Sequence, residues 1–116
     1  MTMKRTKLVA AAVLALGLAL PTTTAVAKTL TGGGVTATTP YSSDSGLISV
    51  YDGSNDDDPG KAEYYRHDSA GTKRTLWNKS GYKTRVTSGD GSAIIKFQAC
   101  DENNASPDDC SGWGAP

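Results

Sequence analysis

Residues 82–100 read YKTRVTSGDGSAIIKFQAC, and this stretch decides the fold class. Two runs of two-residue alternation flank a glycine-rich turn. In the first, Tyr82, Thr84 and Val86 oppose Lys83, Arg85 and Thr87. In the second, Ala93, Ile95, Phe97 and Ala99 oppose Lys96 and Gln98. Side chains alternate across a strand, so the second run carries an apolar and a polar face. Asp90-Gly91 accepts the positive φ of a tight turn, which predicts a hairpin joining the two runs.

The same pattern continues upstream. VTATT (35–39) is a β-branched run stopped by Pro40, and LISVY (47–51), AEYYRH (62–67) and TKRTLWN (72–78) follow. Turn clusters separate them at intervals of about 8–12 residues, with no helical period between. The chain therefore predicts an all-β domain over residues 35–116, a small antiparallel sandwich or open barrel of about six strands. KTLTGGG (28–34) reads as a flexible lead-in.

Residues 1–27 read as an export signal. Lys4, Arg5 and Lys7 precede an uncharged run, residues 8–20, which Pro21 ends; small residues then lead to a cut after Ala27. A helix over that run would reach about 20 Å, short of the roughly 30 Å hydrocarbon core. The expected product is released, extracellular and free of the membrane. Removing the leader leaves nine basic against 12 acidic residues, a mildly acidic product. Nucleic acid is thus a poor candidate partner, since phosphate binding needs a positive surface.

From Lys28 onward, only 10 of 89 residues are Leu, Ile, Val or Phe. That is below the roughly 20% typical of folded chains. Five Tyr and two Trp supply buriable surface, and on this reckoning Trp77 and Tyr82 are expected in the core. A domain this small benefits from a covalent staple. Cys100 and Cys110 are its only cysteines, and in an exported chain they are expected to form a disulfide pinning the tail, with Trp113, onto the last strand.

YDGSNDDDPGKAEYY (51–65) resembles the start of a calcium loop, with Asp52, Ser54 and Asp56 at positions one, three and five and Glu63 at twelve. An EF-hand needs glycine at position six and helices on both sides. Here position six is Asp57, and the flanks read as strands. The sequence favours an acidic surface turn, with Asp52, Asp56 and Asp58 as the residues of an alternative calcium site. No cofactor is expected.

His67 is the single histidine. Alternation puts it with Glu63 and Tyr65, opposite Ala62, Tyr64 and Arg66. Glu63, His67 and Arg85 would suit acid–base cleavage of a phosphodiester, making a small hydrolase of nuclease type the alternative activity. The central segment interleaves aromatics with cations; Tyr65, Arg66, Arg74 and Trp77 are candidates for stacking on sugar rings and gripping anions. A third reading, a protease-inhibitor-like protein, would use loop 52–61 or 101–109 as its contact.

The tail IIKFQACDENNASPDDCSGW, with AEYYR and TLWNKSG, is similar to small secreted actinobacterial proteins. That resemblance implies export and a short β-rich, one-disulfide domain, and carries no catalytic residue. Together these readings favour a secreted, non-catalytic binding protein whose partner is an extracellular protein or a cell-envelope glycan.

Overall fold

The computed structural model describes residues 26–104 and 106–116, so the export-signal reading falls almost wholly outside the described residues. Among the described residues there are eight strands: β1 (Lys28–Gly32), β2 (Val35–Thr39), β3 (Ser49–Asp52), β4 (Gly60–Arg66), β5 (Ser69–Asn78), β6 (Thr84–Thr87), β7 (Ile94–Asp101) and β8 (Asp109–Cys110). They form two antiparallel four-stranded sheets, β1-β2-β3-β6 (sheet A) and β5-β4-β7-β8 (sheet B), in a sandwich-like arrangement. None of the described residues forms a helix long and apolar enough to cross a membrane.

The strand count exceeds the expected six at both ends. Residues 28–34, expected to be a flexible lead-in, supply β1, which pairs with β2 along its whole length. Gly33 and Gly34, with φ of 61° and 87°, make the two-residue turn between them. Gly32 earns its place differently. A Cβ there would lie 2.4 Å from the Ser111 nitrogen and 2.7 Å from the Ala99 oxygen, so only glycine lets β1 approach sheet B this closely. At the other end β8 pairs Cys110 with Cys100, and the disulfide joins them. Beyond it Phe97 and Gly114 exchange two 2.9 Å backbone hydrogen bonds, holding Trp113 against sheet B.

The hairpin expected across SGDG does not form. β6 pairs with β3 in sheet A, while β7 pairs with β4 and β8 in sheet B, so residues 88–93 cross between the sheets. Arg66 is the physical reason. Its guanidinium is buried and donates to the carbonyls of Gly46 (2.9 Å), Ser92 (2.8 Å) and Gly89 (3.0 Å), drawing the crossing loop over the end of β4. Near the opposite end of the sandwich Asn78 is fully buried and donates to Val50 and Thr84 carbonyls, a second tie between the sheets.

The core is Val35, Ala37, Ile48, Val50, Ala62, Tyr64, Ile94, Phe97 and Ala99, with Leu30, Leu76 and Val86 packed against it. Phe97 and Ala99 occupy their expected face. Ile95 does not: a register shift against β4 places Ile94 inside and leaves Ile95 38% exposed. A bulge adds one residue to a strand and reverses the alternation beyond it. Trp77 and Tyr82, expected inside, are 37% and 45% exposed. Small side chains such as Ala37, Ala62 and Ala99 bring the sheets close enough that the core closes around one Phe and one Tyr.

Candidate functional site

Directly paired residues on neighbouring strands share a face. The face of sheet B turned away from sheet A can therefore be read from its register. One row across it is Trp77, Lys61, Cys100 and Cys110; the next is Thr75, Glu63 and Gln98; the third holds Tyr65 and Lys96, with Trp113 beside them. Lys61 and Tyr65 are four residues apart on β4. At about 3.3 Å per residue, the first and third rows lie roughly 13 Å apart.

Each end row is aromatic and cationic. Trp77 has Lys61 Nζ 4.9 Å and Lys79 Nζ 5.2 Å from its ring centroid. Tyr65 and Trp113 pack with centroids 5.3 Å apart at 50°, and Lys96 Nζ lies 4.8 Å and 5.1 Å from the two rings. Lysines so placed are held by the rings' negative faces, and of the three, Lys79 and Lys96 have no carboxylate partner among the described residues.

The row between is a polar network. Glu63 Oε1 accepts a 2.8 Å hydrogen bond from Gln98 Nε2, and its Oε2 lies 3.5 Å from Lys61 Nζ and 3.4 Å from Lys73 Nζ. Lys61 reaches on to Asp108 at 2.8 Å. Burial alone would raise the Glu63 pKa. The Gln98 hydrogen bond and the Lys73 and Lys61 charges outweigh it and hold the carboxyl below its ordinary value. Burial likewise opposes the charge on Lys61, but Asp108 and Glu63 prevail and raise its pKa. The network is charged and internally satisfied, which fixes the lysine heads in place.

The remaining candidates are dispersed. Arg66 belongs to the interior and binds loop carbonyls, so it is not a surface contact. Arg74 pairs in register with Tyr64, opposite in sense to Trp77, and donates to Ser69 Oγ at 3.2 Å. Of the four stacking candidates, Tyr65 and Trp77 share the face and the two arginines do not. The hydrolase set is not brought together either. Glu63 is tied into the lysine network, His67 lies in the β4–β5 turn beside Asp68, and Arg85 is in sheet A, where it donates to Ser49 Oγ at 2.7 Å and lies against Tyr41 and Tyr51. Trp113 and Lys96 complete the Tyr65 station without being singled out by the sequence. The disulfide spacing was the available signal, since it returns the tail to β7.

The 52–58 stretch links two strands, and with residues 101–104 it forms an acidic end. The Glu102 amide donates to the Pro59 carbonyl at 3.2 Å, and Asn104 Nδ2 to Asp58 Oδ1 at 3.2 Å. The two loops considered as separate inhibitor contacts are thus joined. A cleft of about 470 Å³ opens here, lined by Asp52, Ser54, Asp58, Lys79, Tyr82 and Glu102 among others. Behind it, Asp101 is buried in hydrogen-bond contact with Asp56. Burial, that contact and the charges of Asp56, Asp52 and Asp58 push the Asp101 pKa up to about 7. Burial would raise Asp56 too, but hydrogen bonds from Asp101, the Asp58 amide and Ser54 keep it low. Below about pH 7, Asp101 thus keeps its proton beside an Asp56 held low. Among the described residues, no three acidic, imidazole or thiol side chains converge around an ion-sized point.

Compared with models of protein families, with curated proteins and with solved structures, the chain finds no match in any of the three.

Proposed function

We propose that this chain is an exported binding protein that takes up an anionic cell-envelope glycan on the outer face of sheet B. The observation that supports this reading is the pair of aromatic stations, Trp77 and Tyr65–Trp113, on one face with a polar row between them. Aromatic rings stack on the apolar faces of sugars, and fixed polar heads bond the hydroxyls around them. A span of roughly 13 Å fits several linked rings better than one.

Charge narrows the ligand. Lys61, Lys73, Lys79 and Lys96 outnumber Glu63 and Asp108 on and beside this face, although the chain from Lys28 onward carries more acids than bases. Complementarity therefore favours a polymer bearing carboxylate or phosphate groups.

Co-sedimentation of residues 28–116 with insoluble peptidoglycan, chitin and cellulose tests the proposal. Peptidoglycan should retain the protein, Trp77→Ala should weaken retention about tenfold, and Tyr65→Ala with Trp113→Ala should do the same. Single-stranded RNA should not compete. Equal retention of all variants, or none of the wild type on any polymer, would overturn the glycan reading. Export is tested by intact mass in the culture medium, where a chain starting at Lys28 and oxidised at both cysteines is expected.

A further inference from the structure

We propose that Arg85 anchors a further binding site, for a phosphate or sulfate group, on the face of sheet A turned away from sheet B. Leu30, Ala37, Val50 and Val86 form one row across sheet A and pack in the core, so the rows on either side of it face outward. One outward row runs from Thr29 through Ser49 to Thr87, the other from Thr31 through Tyr51 to Arg85. Arg85 is the single charge in these rows, and every other residue in them bears a hydroxyl. No carboxylate pairs with it among the described residues, although the chain from Lys28 onward carries more acids than bases.

The guanidinium is held in place as well as unpaired. Its Cζ lies 5.4 Å from the ring centroids of both Tyr41 and Tyr51, and its Nη1 donates to Ser49 Oγ at 2.7 Å. Ser49 is fully buried, so water does not compete for that brace. The protein uses one N–H of the fork and leaves the others for a ligand. Arg66, by contrast, commits its fork to three loop carbonyls. A planar fork fixed in advance grips two oxygens of an oxyanion and loses little freedom in doing so. Phosphate and sulfate carry further oxygens, and hydroxyls stand ready for them. Thr38 and Thr87 oppose Ser49 in register from either side, and Thr87 lies two residues from Arg85 on the same face. A carboxylate has no third oxygen to meet these donors, so a tetrahedral group fits better. The site shares no residue with the outer face of sheet B and goes beyond the glycan reading.

Titration of residues 28–116 with sodium phosphate and sodium sulfate, against sodium chloride at matched ionic strength, tests the site by NMR at the Arg85 Nε–H. Both oxyanions should give a saturable shift with half-saturation at about 1–10 mM, and chloride only a small linear drift. Dextran sulfate, set against neutral dextran, separates two sources of the group. Saturation at a lower ester concentration than free sulfate needs assigns the site to an ester on a polymer, and saturation by the free ions alone assigns it to an inorganic ion. Arg85→Lys keeps the charge without the fork and should weaken sulfate binding about tenfold, read at the Thr87 amide. Thr87→Val, on the exposed edge strand, should weaken it about threefold, read at Arg85 itself. A shift that never saturates with either ion, a chloride shift of equal size, or full sulfate affinity in both variants overturns the proposal. The signal arises on sheet A with no peptidoglycan present, so the result is independent of the ligand proposed for sheet B.

Discussion

Arg66 lies 7% exposed at the end of β4 and donates a 2.9 Å hydrogen bond to the carbonyl of Gly46, 20 residues earlier in the chain. The same guanidinium holds Ser92 and Gly89, and no carboxylate pairs with it among the described residues. Three loop carbonyls therefore depend on one cation. Lysine cannot reproduce the planar fork. Arg66→Lys is expected to cost about 2–4 kcal/mol, and Arg66→Met at least as much, by urea unfolding. A loss below about 1 kcal/mol for both would show that the loop holds itself.

Acidification should stabilise the protein over a defined window. Asp101 has a folded pKa of about 7 against an ordinary value of 3.8. A raised folded pKa means the folded state holds the proton more tightly. Its stabilising effect is full below about pH 4 and lost as pH rises through about 7. Glu63, Asp56 and Asp108 are shifted down, so their contributions persist until pH falls towards 4. From pH 7.5 to 5, unfolding free energy should rise by about 1–2 kcal/mol. A flat or falling profile would contradict the Asp56–Asp101 pairing, and Asp101→Asn should flatten it.

Reducing the Cys100–Cys110 disulfide should act on one aromatic station more than the other. The bond closes a loop of about 11 residues and is worth about 3 kcal/mol in the chain-entropy account. It also holds the tail where Gly114 pairs with Phe97 and Trp113 meets Tyr65. Reduction should expose Trp113, shifting tryptophan emission to longer wavelength, while Trp77 stays seated against β4. Unaltered emission on full reduction would mean that the Phe97–Gly114 hydrogen bonds hold the tail unaided.

Glu63 is the hub of the outer face, and Glu63→Gln should loosen it. The amide cannot balance Lys61 and Lys73, though it still accepts from Gln98. A loss of about 1–2 kcal/mol is expected, with Asp108 keeping Lys61 in place. Greater stability in the variant would indicate that burial of the charge outweighs its partners.

How far the sequence carries this fold depends on whether the deciding contact is local. Strand positions, buried alternation at Ala62, Tyr64 and Arg66, and the disulfide follow from neighbours in sequence. The SGDG turn fails as a hairpin because its Gly89 carbonyl, and that of Ser92 just beyond it, are claimed by a side chain more than 20 residues away, which no turn rule registers. Ile94 and Ile95 exchange places through a bulge, invisible to a period of two. Trp77 and Tyr65 were legible as candidates from their interleaving with cations. Alternation sets Arg66 opposite Tyr65, but only the register of β4 and β5 puts Trp77 on the Tyr65 side and Arg74 on the other. Asp101 is read from the fold alone, since its importance lies in what surrounds it.

The paired backbone of Phe97 and Gly114 has a practical bearing on how the molecule is handled. A label, bead linker or fusion partner attached at the carboxyl end would pull on the very residues that seat Trp113. Lys28, where the expected mature chain begins, is exposed and takes no part in that pairing, so surface-immobilised protein should keep more of its grip when anchored by the amino end than by the other.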